Sequence, residues 1–333
     1  MNFPVDIVYT WVDNKDPIWK EKKKKALHEI NINPEANEDC RFISSNELLY
    51  SIRSIYKYCS WFNKIYIITD SQKPTWLNPN IAEIVIIDHK TIFDNNSTFP
   101  FFNSNVIESR IHYIPNLCEH FIYFNDDLFI GRKLNKNYFF SKNGTPKLYM
   151  TPKKSKRKVI KGMNSRIMLK QKLYPRNLNN ARKLVWEKYK TLILNYPIHN
   201  PKAFRKTDIL KVESIFKKYI VNTLNHQFRN NEGIYFLALC MFHMITEGVT
   251  PIIMKPYRSN RLIYKIPLLS KNRDFIYIKL GFDRRFEEKC KLICKFNPAF
   301  FCINDTNFCK DSDRKNMVKF LADYYYDKTI AEK

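Results

Sequence analysis

Apolar residues along this chain come in short unbroken runs, and the runs end on polar tips. The most marked is Phe121-Ile122-Tyr123-Phe124, which follows His120, stops at Asn125-Asp126-Asp127 and resumes at Leu128-Phe129-Ile130. A continuous apolar strand reads as buried on both faces, the habit of a parallel sheet covered by helices. The same shape recurs at Val5 to Asp13, at Lys64 to Asp70, and at Ile84 to Asp88 with His89 behind it. Between these runs the apolar spacing turns helical. Pro17 opens one helix from a first-turn position. Ser44 to Tyr58 forms a second, with Leu48, Ile52, Ile55 and Tyr56 inward and a Ser44/Glu47 capping box at its start. Val106 to Ile114 forms a third, on which Glu108 and His112, four apart, share a face. Further helices are predicted over 207–219, 232–246 and 312–327. A second apolar run, Phe300 to Asp305, also ends in Asn-Asp. Strands alternating with helices, and polar residues at strand ends, predict an α/β fold with its chemistry along one sheet edge.

Composition narrows the classes. The chain has 333 residues, 44% hydrophobic and 15% aromatic, enough for a large core and too apolar for disorder. Lys+Arg 57 against Asp+Glu 32 gives a net charge of +25, which attracts an anionic partner: nucleic acid, an acidic membrane surface, a nucleotide-sugar or an acidic polymer. Nine cations and no acid fall between Lys153 and Lys172. That stretch is predicted as a cationic loop or hairpin arm that tracks an anionic polymer or membrane face, or is merely solvated. It lacks the interleaved aromatics of a single-stranded nucleic-acid platform. Only 6 Gly occur, in neither a dinucleotide fingerprint nor a P-loop, so phosphates would be held by side chains, metal or helix N-termini. The start lacks the basic and apolar regions of a signal peptide, and no run reaches the ~18 apolar residues of a membrane span. The eight cysteines therefore read as reduced thiols, and the spacing of Cys290, Cys294, Cys302 and Cys309 is not that of a zinc site.

Several residues stand out chemically. Asp126 and Asp127 are adjacent carboxylates beside an apolar run, where mutual repulsion is costly and a divalent cation relieves it. The other reading is an Asn-Asp-Asp turn bonding its own backbone. Asp6, Trp11 and Asp13 suit a nucleotide, with Trp11 stacking on a base, or else Trp11 is core and Asp13 caps a turn. Arg53 is a phosphate contact or a surface arginine. Glu108 and His112 are a ligand or acid/base pair, or an ion pair. His199 is stiffened between Pro197 and Pro201, and imidazole is the usual acid/base near neutral pH. Arg229 offers a planar fork for phosphate.

In this order and spacing, four blocks resemble the Stealth family of sugar-phosphate transferases. They are Asp6 to Asp13 with Asp16-Pro17 and Trp19; Arg41-Phe42 through Asn46-Glu47-Leu48, Tyr50 to Ile55, Ile65 to Asp70, Pro74, Trp76-Leu77-Asn78, Phe102-Asn103-Ser104, Ile107-Glu108-Ser109, His112 and Phe121 to Asp127; His199-Asn200-Pro201 with Phe228-Arg229; and Cys302 to Asp305. The sequence departs from the family's usual residues at Ser45, Asn46, Leu49 and Ser71.

The resemblance implies a GT-A-like, Rossmann-type nucleotide-sugar core over 1–131, a basic insertion over 132–195, and a mainly helical part over 196–333 that completes the active site. It further implies transfer of a hexose-1-phosphate from a UDP-HexNAc donor to a hydroxyl of an anionic capsular oligosaccharide. A phosphodiester forms and UMP leaves; the alternative is a GT-A glycosyltransferase releasing UDP. On this reading Asp126, Asp127 and Asp305 hold Mg²⁺ or Mn²⁺, with Asp127 also catalytic. His199 is the base, and Arg229 stabilises the transferring phosphate. Asp6, Thr10 and Trp11 hold uridine, and Arg53, Asn103, Glu108 and His112 line the donor sugar and phosphate. The expected setting is the cytoplasm, peripheral to the inner membrane face or to capsule assembly machinery, with no nucleic-acid partner.

Overall fold

The protein's computed structural model describes residues 1–94, 97, 99–248, 250–254, 274–283 and 285–333. Ten strands are present among them. β1 (Val5–Thr10), β2 (Ile65–Thr69), β3 (Ile84–Asp88), β4 (His120–Asn125) and β7 (Lys202–Arg205) form the central sheet, in the order β3-β2-β1-β4-β7. The first four are parallel, and β7 runs antiparallel to β4. β5 (Leu128–Ile130), β10 (Phe300–Asn304) and β9 (Phe275–Lys279) make a second sheet, and β6 (Leu148–Met150) pairs with β8 (Ile252–Met254). This is the expected α/β, Rossmann-type arrangement. β4 lies inside the sheet, between β1 and β7, because it is apolar on both faces. Phe121 and Phe204 belong to the core on one side, Ile122 and Phe124 to that on the other, and all four are fully buried. Each such side chain contributes about 1.5–3 kcal/mol by leaving water.

Chain direction changes sides between β1 and β4, which opens a crevice at their carboxyl ends, where Thr10 is in register with Asn125. The Asp126-Asp127 turn lies at that crevice. Helix Glu47–Tyr58 fixes it from behind. Ser51 donates to the Leu128 carbonyl at 2.6 Å, and Ser54 accepts from the Ile130 N–H at 3.2 Å. These hydroxyls hold β5 immediately after the turn.

Three predicted elements are corrected. The second helix begins at Glu47 rather than Ser44, because Asn46 takes a left-handed conformation (φ 67°) that asparagine tolerates and a continuing helix does not. The third spans only Ser104–Glu108, followed by a short 3₁₀ turn at Ile111–Tyr113, so Glu108 and His112 do not share a helix face. The basic stretch is helical, Lys156–Met163 and Ser165–Met168, rather than a loop or hairpin.

Candidate active site

The crevice widens into a cavity of about 1140 Å³ lined by Thr10, Trp11, Glu47, Glu108, Asp126, Asp127, His199, Arg229 and Asp305, among others. Its catalytic-looking residues arrive on different elements. β7 is antiparallel to β4, so its start lies beside the end of β4, with Lys202 opposite Tyr123, and His199 three residues earlier reaches Asp127. β10 is antiparallel to β5, with Cys302 opposite Leu128, and so brings Cys302 and Asn304 to the same carboxylate. Asp127 Oδ2 accepts from the Asn304 amide at 2.9 Å and the Cys302 thiol at 3.2 Å, and His199 Nε2 lies 3.4 Å from both Asp127 oxygens. Burial works to raise the Asp127 carboxyl, but His199, Asn304 and Cys302 outweigh it and hold it below the usual carboxylate range. Asp126 behaves oppositely: burial, then Asp127 and Glu47, push it far above.

Arg229 follows Phe228, whose ring stacks on Phe102 with centroids 4.9 Å apart. Its Nη2 donates to Ser104, and burial together with nearby Arg41 presses the guanidinium below its ordinary value while Glu108 opposes this. Glu108 is buried; its Oε1 accepts from Tyr123 at 3.1 Å, Tyr123 in turn contacts Thr10 at 2.8 Å, and Oε2 has no partner. Trp11 lines the cavity too, yet is only 9% exposed and donates to Ser44 at 3.4 Å, so most of its ring is core.

Four expected substrate contacts are not among the residues lining this cavity. Asp6 sits at the amino end of β1, away from the crevice, and ties three backbone and side-chain donors together: Asn63 Nδ2, Lys64 N–H and Cys118 N–H. Arg53 points away from the cavity into a bidentate pair with Glu332 at 2.5 and 2.9 Å and donates to the Tyr325 carbonyl at 2.7 Å. His112 is buried against Glu213 at 2.7 Å, a consequence of the helix ending at Glu108. Asn103 donates to the carbonyls of His226 and Phe228, so it positions Arg229 instead of lining the cavity. Arg53→Ala strands Glu332, and loss of one partner of a buried pair costs ~3–5 kcal/mol. Denaturant unfolding is expected to show that loss, with activity per folded molecule within about twofold of wild type; a large drop in activity at unchanged stability would restore the donor role.

The expected metal triad also changes. Asp305 is engaged by Arg314 at 2.8 and 3.4 Å and by the Thr306 N–H at 2.7 Å. Among the described residues, the group of His, Cys, Asp or Glu whose ligand atoms all lie within 4.8 Å of one another is Asp127, His199 and Cys302. Burial and Asp127 keep the Cys302 thiol far above its ordinary range, hence protonated, which leaves oxygens as the ready donors. A hard divalent cation fits this setting: burial, then Asp127 and Glu47, disfavour Asp126 as an anion, and a cation beside it offsets that penalty.

Two residues were not singled out for chemistry from sequence. Glu47, read there as a helix cap, lines the cavity; burial, with help from Asp305 and Asp127, pushes its carboxyl up to about 7. Lys202 is buried, donates to the Asn200 carbonyl at 3.0 Å, and is pressed down by burial to about 8 against the pull of Glu108 and Asp127. The Glu47 shift has a consequence for stability. A carboxyl whose pKa is raised from 4.5 to about 7 on folding contributes stability below the unfolded value, lost as pH rises through about 7. In metal-free buffer, the unfolding free energy of Glu47→Gln relative to wild type is expected to improve by on the order of 3 kcal/mol from about pH 4.5 to pH 8. A pH-independent difference in urea melts would remove Glu47 from this cluster.

Comparison with known proteins agrees with the first two of the four blocks. Residues 3–30 match the model described as Stealth protein CR1, conserved region 1, and residues 41–148 match Stealth protein CR2, conserved region 2. A capsular polysaccharide phosphotransferase of Neisseria meningitidis serogroup B is 33% identical over 98% of this chain and 83% of its own length. The chain belongs to the Stealth family. It is an enzyme of the transferase class. Other Stealth relatives include a capsular polysaccharide phosphotransferase of Haemophilus influenzae, 34% identical over 97% of this chain and 84% of its own, and an exopolysaccharide phosphotransferase of Streptomyces coelicolor, 37% identical over 97% and 55%. Among solved structures, the galactosyltransferase LgtC in complex with donor and acceptor sugar analogues aligns at a TM-score of 0.43 and 10% identity over 96% of this chain and 95% of that one, too distant to bear on chemistry. No helix among the described residues of this Stealth chain is long and apolar enough to cross a membrane.

Proposed function

We propose that this Stealth enzyme transfers a hexose-1-phosphate from a UDP-HexNAc donor to a sugar hydroxyl of a capsular oligosaccharide, forming a phosphodiester and releasing UMP. One observation carries the reading: His199, the Asp126-Asp127 turn and Arg229 lie on the walls of one cavity at the β1/β4 crevice, around the volume a diphosphate would fill. The cavity exceeds the ~300–1,000 Å³ of a typical small-ligand site, which suits a nucleotide-sugar and an acceptor together.

Thr10 and the exposed edge of Trp11 line the donor base and ribose side. The unpartnered Glu108 Oε2 accepts a donor hydroxyl. His199 takes the proton of the attacking acceptor hydroxyl at Nδ1, the ring nitrogen opposite the one that faces Asp127, and Asp127, 3.4 Å from Nε2, fixes the tautomer and stabilises the imidazolium that results. The acceptor oxygen bonds to the phosphorus that carries the sugar, the bond from that phosphorus to the bridging oxygen breaks, and UMP departs with the electron pair. Arg229 faces the equatorial oxygens, where charge accumulates. Asp126 and Asp127 would hold Mg²⁺ or Mn²⁺, which supplies neutralisation of the diphosphate when bound. The test is ³¹P NMR after incubation with a UDP-HexNAc panel and a short capsular primer. A new diester resonance with stoichiometric UMP is expected; UDP release with no diester identifies a sugar transferase instead and overturns the reading.

A further inference from the structure

The sequence of the basic stretch suits a polymer track, a membrane face or a solvated surface, and the structure sets part of it at the cavity. Lys154, Lys158 and Lys172 all line the active-site cavity. Among the described residues, no ion pair involves any of the nine cations between Lys153 and Lys172.

These cations sit on a built platform. Helix Lys156–Met163 buries Val159 and Met163, and the Gly162 carbonyl accepts from Gln171 at 2.9 Å and Asn179 at 3.0 Å. A side chain at Gly162 would press on Asn179 at 3.3 Å, so the close packing depends on the glycine. Asn179 is itself gripped by the buried Arg182. The platform is also laced to the segment carrying His199. Met150 bridges Pro197, the Thr151 N–H donates to the Tyr196 carbonyl at 2.8 Å, and the Lys154 N–H donates to the Leu194 carbonyl at 2.9 Å. Lys154 is thereby tied to the segment that leads to His199, and Lys158 and Lys172 line the same cavity.

We infer that Lys154, Lys158 and Lys172 form an acceptor subsite that binds the phosphodiester groups already present in the growing polymer, next to the hydroxyl that reacts. This rests on the proposed reaction, which leaves one anionic diester in every repeat it adds. A row of fixed, uncompensated cations binds such a chain by its charge spacing and is weakened by salt.

The test is equilibrium binding, which does not depend on turnover. The probes are a fluorescein-labelled hexamer of hexose-1-phosphate diesters and an uncharged hexasaccharide, followed by fluorescence anisotropy. The wild type is expected to prefer the anionic hexamer, and 0.5 M NaCl to erase the preference. The triple variant K154Q/K158Q/K172Q is expected to bind the anionic hexamer about tenfold more weakly, with unchanged melting temperature and unchanged affinity for UDP-HexNAc. An unaltered preference in the triple variant overturns the subsite, as does binding to phosphatidylglycerol vesicles in place of the hexamer. If the ³¹P experiment shows no diester while the hexamer still binds through these lysines, it is the reaction that fails and not the subsite.

Discussion

His199→Ala is expected to lower kcat by about 10²–10⁴-fold, the usual contribution of a positioned acid/base, with the affinity for UDP-HexNAc within about twofold of wild type. The asymmetry follows from placement. Thr10, Trp11 and Glu108 lie toward β1 and the helix ending at Glu108, whereas His199 enters from the start of β7 and contacts Asp127 and the edge of Tyr277, with ring centroids 5.9 Å apart. Removing its imidazole takes away the proton acceptor and no donor contact. His199→Gln separates the two things a histidine can do, since an amide keeps a polar contact to Asp127 but cannot accept a proton at neutral pH. Both variants should be equally slow in single-turnover assays, and calorimetric titration with donor should be unaltered. Turnover by His199→Gln close to that of wild type would leave the imidazole a positioning role only.

Chain pattern announced the parts of this site that coincide with a break in local order. The halt of an apolar run at Asn125-Asp126-Asp127 is visible because a buried strand has no other reason to stop on three polar residues, and the bracketing prolines mark His199 in the same way. What stayed hidden depends on neighbours brought from afar. Glu47 fits the Ser-x-x-Glu spacing of a capping box, and its Oε2 does accept a backbone bond, from Ser45 at 2.6 Å. Nothing local tells that its carboxyl also shares a buried space with Asp126. Lys202 sits in a four-residue strand, and its burial follows only from antiparallel pairing with β4.

The family blocks mark Asp6, Arg53 and His112 without saying which way their side chains face, and all three turn out to fasten elements together. In the basic stretch the cations obscured a helical signal that was present: Val159 and Met163, four apart, are the two buried residues of helix Lys156–Met163.

Asp126→Asn and Asp127→Asn are each expected to lower kcat by about 10²–10³-fold or more, and to do so for different reasons. Asp126 touches no catalytic side chain by hydrogen bond among the described contacts; its carboxyl is lifted by burial, Asp127 and Glu47, so its value to the enzyme lies in a cation that relieves that crowding. Asp127 additionally contacts the His199 ring and is bonded by Asn304 and Cys302. Losing it therefore costs the cation and the imidazolium's partner together, and the Asp127 variant should be the slower of the two.

Binding provides a readout separate from activity. A ligand that binds only the folded state raises its stability by RT ln(1 + [L]/Kd), about 2.7 kcal/mol at a hundredfold excess over Kd. Millimolar Mn²⁺ should accordingly raise the melting temperature of the wild type by several degrees. It should raise that of Asp126→Asn and Asp127→Asn by little or nothing. Glu47→Gln, which removes one of the crowding charges without removing either turn carboxylate, should keep most of the shift. Excess EDTA should abolish transfer, and readdition of Mg²⁺ or Mn²⁺ should restore it. Full transfer in EDTA, together with melting curves indifferent to Mn²⁺, would leave the Asp126-Asp127 turn as an acidic turn closed by its own backbone bonds, and the charge on the diphosphate would then fall to Arg229 and the other cations that line the cavity.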